Sequence, residues 1–158
     1  VGTLFVHLTP EKYAARIMRA GLTTPGVYCF PMIPSYTLTH QWLRELRRDG
    51  QRAFVAIDFR IPDEEPVEVG HYNRKRRSVT AAKAVALIRA QDDPRGYEVY
   101  IPRSVTRAEL VRTRAVSQVA GWRYRPDEHG KRPCACPICL QPGSYGAADI
   151  RARYDLDD

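Results

Sequence analysis

The chain has no apolar run approaching the roughly 20 residues needed to span a bilayer, which argues against a membrane protein. Low-complexity tracts and internal repeats are also missing, which excludes stacked-repeat architectures and a disordered chain. Neither G-x-G-x-x-G nor a Walker loop occurs, so the common glycine-rich phosphate cradles are absent. No H-E-x-x-H is present. The zinc deaminase pattern fails as well: no H-x-E occurs, and Cys136 follows Pro133-Cys134 one residue too early for P-C-x-x-C. G-x-S-x-G is missing, which removes the nucleophile elbow. Val1 to Leu8 lacks a basic flank and reads as a strand, not a signal peptide. Cysteine is scarce, at four in 158 residues, with Cys29 alone and Cys134, Cys136 and Cys139 bunched. That distribution suits a metal site and a reducing cytoplasm better than a disulfide framework.

What the chain does have is positive charge. Twenty-five Lys and Arg stand against 18 Asp and Glu, for a formal net charge of +7. The cations concentrate at Arg74-Lys75-Arg76-Arg77, between Arg44 and Arg48, and between Arg103 and Arg125. A solvated basic face would account for them, and so would a polyanionic partner such as nucleic acid or a nucleotide.

The residue pattern alternates strands with short helices but shows no regular β-α-β repeat, so the expected class is α+β. Strands are expected at Thr3 to Leu8, Gly26 to Phe30, Ala53 to Phe59 (nearly continuous and apolar, hence central), Val67 to Val69, Tyr97 to Pro102 and Thr113 to Val119. Helices are expected from Pro10 to Ala20, with Thr9 as cap and Gly21 as stop, and from Thr39 to Arg48. Two more are expected, one from a Thr80 cap to Ala90 and one at Arg107 to Arg112. Arg74 to Arg77 is expected as a loop that contacts a polyanion. From Pro126 the texture turns to Pro, Gly and Cys, so residues 1–125 are read as a catalytic domain and 126–158 as a clip packed on it.

The strand Tyr97-Glu98-Val99-Tyr100-Ile101-Pro102 places Glu98 and Tyr100 on one face and Val99 and Ile101 on the other. Glu98 is either a solvated edge residue or a carboxylate set deliberately in an apolar strand. Two earlier segments favour the second reading. His7 ends a strand in Phe5-Val6-His7-Leu8-Thr9, and Tyr28 lies in Gly26-Val27-Tyr28-Cys29-Phe30, with Ser35 and Tyr36 close behind.

In this order the chain resembles the ADP-ribosyltransferase superfamily over about residues 3–119. The nearest branch is the one with a His-Tyr-Glu triad, which includes poly(ADP-ribose) polymerases, tRNA 2′-phosphotransferases and bacterial DNA-targeting toxins. The resemblance implies split antiparallel sheets with short flanking helices. It implies NAD as substrate, with catalytic Glu98, His7 and Tyr28. His7 and Thr9 would bind on the adenosine side, Tyr28 and Tyr36 would sandwich nicotinamide, Ser35 would meet its carboxamide, and Glu98 would hold the ribose 2′-hydroxyl. The toxin members imply an antitoxin or immunity partner, and the basic charge favours DNA or RNA as acceptor. Glu64, Glu65, Glu68 and Glu109 are the competing carboxylates, and their removal is expected to be tolerated.

Cys134, Cys136 and Cys139 form C-x-C-x-x-C five residues after His129. Thiolates so spaced suit tetrahedral, structural Zn²⁺. His129 is the nearest fourth ligand, with Cys29 or His71 as alternatives. Two other functions remain open on sequence grounds: a non-catalytic zinc-containing nucleic-acid-binding module, and an NAD-dependent RNA 2′-phosphotransferase.

Overall fold

The computed structural model describes residues 2–47, 50–51, 53–72 and 74–118, with backbone alone at Tyr36, Thr37 and Arg44. Residues 119–158 lie outside this set, and with them the expected 126–158 clip, its boundary, and His129, Cys134, Cys136 and Cys139.

The fold is α+β. Seven strands, β1 (Thr3–Pro10), β2 (Val27–Pro31), β3 (Phe54–Ile61), β4 (Pro66–His71), β5 (Arg77–Thr80), β6 (Tyr97–Ile101) and β7 (Leu110–Ala115), make one sheet. Its order is β5-β4-β6-β2-β1-β3-β7 and all its pairings are antiparallel. Helices α1 (Ala14–Ala20), α2 (Tyr36–Thr39), α3 (Leu43–Leu46) and α4 (Ala81–Arg89) are short. None of the described helices is long and apolar enough to cross a membrane.

The apolar pattern of each strand decides which layer it joins. Phe5, Ile57, Phe59, Val67, Val69, Val99 and Ile101 pack with Ile17 of α1 and Ala81, Ala84 and Ile88 of α4 in one core. Val6, Leu8, Phe30 and Ala56 face the other way and pack with Trp42, Leu43 and Val116 in a second core. The nearly continuous burial along β3 follows from having a core on both faces, which is why its sequence does not alternate.

Three expectations need correction. Thr9 does not cap a helix: β1 runs through Pro10 because it pairs with β3 along all eight residues, and the chain then makes a 3-10 turn at Glu11–Tyr13 before α1. Arg107 to Arg112 is not a helix. Thr106 does open it, through a capping box with Glu109, but only a 3-10 turn at Arg107–Glu109 forms before β7 begins at Leu110 against β3. Arg77 belongs to β5 and not to a loop, since it pairs with Val69. Two local signals hold as read. Gly21 ends α1 at φ 87°, its N–H donating to Ile17 O at 2.7 Å, and Thr80 caps α4 by accepting from Lys83 N at 3.3 Å.

Candidate active site

His7, Tyr28 and Glu98 stand on β1, β2 and β6, which are consecutive in the sheet though ninety residues of sequence separate the first from the last. The junction between β1 and β2 is short. Only Phe5↔Pro31 and Val6↔Phe30 pair there, while Val27, Tyr28 and Cys29 pair instead with β6. The sheet therefore splits beside His7. His7 Nδ1 lies 2.8 Å from Tyr28 O, and because a carbonyl only accepts, Nδ1 carries the proton. Nε2 is then an acceptor. Burial lowers the His7 pKa and the carbonyl bond partly opposes this, so the ring is neutral near pH 7.

Beyond the split, His7 and Thr9 line a cleft of about 340 Å³ together with Arg16, Thr23 and Thr24. Arg16 comes from α1 and the threonines from the connection into β2. This wall offers hydroxyls, an imidazole acceptor and one guanidinium, a set that suits a ribose and a phosphate.

Tyr28 and Glu98 do not line that cleft; their side chains stand on the outer face of β2-β6-β4. Tyr28 pairs with Tyr100, and Tyr100 with Glu68, so their side chains form a cross-strand row. The Tyr28 and Tyr100 rings sit 4.9 Å apart at 52°. Tyr28 is 49% exposed, so much of its side chain meets solvent. Gly26 permits the arrangement, because a Cβ there would collide with the Tyr100 ring.

Arg76 ties the row together. Its guanidinium lies 4.8 Å from the Tyr100 ring centroid and 5.3 Å from that of Tyr28, and it donates to the Tyr28 hydroxyl at 2.9 Å. It also pairs with Glu68 at 3.3 Å and approaches Glu98 at 3.9 Å. Gly70 makes room for it: a Cβ at that position would meet Arg76 Cγ at 3.0 Å. Glu98 is half-buried. Burial raises its pKa, and Arg76 pulls it back. The four-cation segment is thus divided. Arg76, just before β5, reaches Glu98 and Tyr28, whereas Arg74, Lys75 and Arg77 line a pocket with His71 on the opposite face of β4. Arg76 does not line the pocket that the other three share.

Gln41 and Trp42 fix the start of β6. Gln41 Oε1 accepts from Gly96 N at 2.8 Å, and Gln41 Nε2 and Trp42 Nε1 donate to Tyr97 O at 3.3 and 3.2 Å. Sequence reasoning missed both, and it missed Arg76 as an individual. Only the Trp in an apolar helix face was visible, and its indole N–H partner lies 55 residues away.

Ser35 caps α2, its hydroxyl accepting from Leu38 N at 3.4 Å; among the described residues no hydrogen bond or ring contact ties it to His7, Tyr28 or Glu98. Tyr36 opens α2 and is described by backbone alone. Glu68 and Glu109 are not idle carboxylates: Glu68 holds Arg76, and Glu109 pairs with Arg103 at 2.7 Å while closing the Thr106 capping box. Glu65 also holds Arg103, at 2.7 Å. Cys29 is fully buried in the apolar core, and burial pushes its thiol well up. Among the described residues no group of three metal-binding side chains forms.

Comparison with protein-family models, with curated proteins and with solved structures finds no match to this chain.

Proposed function

We propose that the chain is an NAD-dependent ADP-ribosyltransferase of the His-Tyr-Glu kind, acting on a nucleic-acid acceptor. The adjacency of β1, β2 and β6 carries this reading. Three residues taken from distant parts of the sequence lie on neighbouring strands, beside a split that opens a cleft lined in part by His7, Thr9 and Arg16.

Each group suits the task the resemblance assigns it. His7 Nε2 is an acceptor for a ribose hydroxyl of the adenosine half, with Thr9 beside it in the same cleft. The exposed Tyr28 ring is a platform for the flat nicotinamide. In the reaction the bond between ribose C1′ and the nicotinamide nitrogen breaks, and its electron pair leaves with nicotinamide. The ribose is left with oxocarbenium character, as in glycoside cleavage. Glu98 as carboxylate stabilises that charge in a half-buried site, where the effect exceeds that in water. The acceptor atom then bonds to C1′ and releases its proton. Burial raises the Glu98 pKa, and Arg76 offsets part of that rise in favour of the carboxylate.

The proposal extends to zinc. Cys134, Cys136 and Cys139 with His129 supply three thiolates and an imidazole, a set that fits a closed structural site. The ion would pin a segment rich in Pro, Gly and charge to the body of the protein.

Heat stability in the presence of NAD tests the proposal. At 100 times Kd, NAD should add about 2.7 kcal/mol to stability, read as a rise in Tm. A pure nucleic-acid-binding module would show no shift.

A further inference from the structure

The pocket behind β4 is separate from the candidate active site. It encloses about 170 Å³ and is lined by Arg74, Lys75 and Arg77, by His71 and Gln91, and by an apolar floor that includes Tyr97. It lies at the edge of the sheet, since β5 is the terminal strand. Among the described residues no carboxylate pairs with its three cations. Asp93, whose charge acts on His71 of the pocket, is already held by Arg95 in a two-pronged bond at 2.9 Å. Glu68 pairs with Arg76 on the opposite face. Gln91 is held by its own bonds, donating to Leu87 O at 2.9 Å and accepting from the Tyr97 hydroxyl at 3.0 Å, so the wall under the cations is firm.

We infer that this pocket grips a phosphodiester group of a nucleic-acid strand. A space of about 170 Å³ is enough for a phosphate with its nearest waters. Three uncompensated cations around one such space match a doubly bonded anionic group, and the net charge of +7 favours a partner that repeats such groups along a chain. Recognition through phosphate alone is independent of base sequence. The β4–β5 hairpin that supplies Arg74 and Lys75 also carries Arg76 to Glu98 on the other face. A strand held in the pocket is therefore held at the edge of the sheet that bears the candidate carboxylate. As the acceptor's grip, the pocket rests on the transfer reading. As a binding site it does not.

The test uses the full chain, in wild-type form and as Arg74→Ser/Lys75→Ser/Arg77→Ser. Binding of fluorescently labelled 12-nucleotide DNA and RNA single strands is followed by anisotropy between 50 and 200 mM salt. The wild type should bind, and the variant should bind at least tenfold more weakly at the lower salt. The slope of log K against log[salt] should become shallower by about 2, from three lost contacts at ~0.7 each on a single strand. A response to both strands assigns the grip to phosphate, and a response to one alone assigns it to that nucleic acid. NAD-dependent heat stabilisation, measured on the same two proteins, should be equal. Failure of both to respond to NAD would sink the transfer reading and leave the pocket standing. No binding by the wild type, or equal affinity and slope for the variant, would overturn the pocket.

Discussion

The Arg76 guanidinium lies 3.9 Å from the Glu98 carboxylate while stacked over Tyr100, and it can do so because residue 70 is glycine. Two opposing effects meet on Glu98: burial raises its pKa and the cation lowers it. Arg76→Met keeps the aliphatic stem over Gly70 and removes the charge. Glu98 should then hold its proton to higher pH, so the acid limb of the kcat profile for NAD cleavage should move upward in pH. An unmoved limb would mean that Arg76 does not govern the ionisation that matters.

Gln41 should behave as a positioning residue for the strand that carries Glu98. Gln41→Leu fills the space but leaves Gly96 N without its acceptor and Tyr97 O with one donor fewer. A loss of about 1–3 kcal/mol is expected from the unsatisfied groups, measurable by urea denaturation. Turnover should fall more than the affinity for NAD does, and Gln41→Glu, which retains an acceptor for Gly96 N, should restore part of it.

Asp58 makes the protein acid-sensitive. It is fully buried on β3 and accepts from Arg112 Nε at 2.8 Å and Arg114 Nε at 2.7 Å. The two arginines hold its pKa below the usual value despite burial, so its stabilisation is present above the unfolded pKa and is lost as pH falls through the folded one. His40, also buried, is lowered to about 4 by burial and by Arg114. Its contribution is full above about 6.5 and disappears as pH falls towards 4, on the order of 3 kcal/mol in total. Urea midpoints should therefore drop from pH 7 to pH 4 through His40 and drop further below pH 4 as Asp58 takes up its proton. Asp58→Ala should lower stability at pH 7 by about 1.5–3 kcal/mol, because it removes the buried carboxylate that accepts from both Arg112 and Arg114.

Zinc should be present at about one ion per chain in protein purified without added metal. Cys136→Ser should lower that content, whereas Cys29→Ala should leave it unchanged, since Cys29 is sealed in the core. Folded, stable protein free of metal would end the idea.

The sequence carried the strands and their faces well, because alternation in Tyr97 to Ile101 and burial along Phe54 to Ile61 are local properties. It misread Thr9 and Arg107 to Arg112. The helix signals there are real but short, and pairing with β3 overrides them on both sides. What it could not supply was the partnership of residues across strands. Nothing local distinguishes Arg76 from Arg74, Lys75 and Arg77, yet it reaches the other face. The roles of Gly26 and Gly70 are equally hidden, because what each would collide with comes from another strand or from the turn beyond. The Asp58 pair with β7 was missed for the same reason.

The central claim rests on Glu98, and Glu98→Gln tests it most directly. The substitution keeps the shape and removes the charge, in a side chain that faces outward from β6, so folding and Tm should be unchanged. Nicotinamide release from NAD is measured at saturating and limiting NAD. The account predicts a kcat lower by a factor on the order of 10² or more with KM for NAD little altered, the signature of a group that acts on the developing cation. Near-normal NAD turnover by folded Glu98→Gln protein would contradict it.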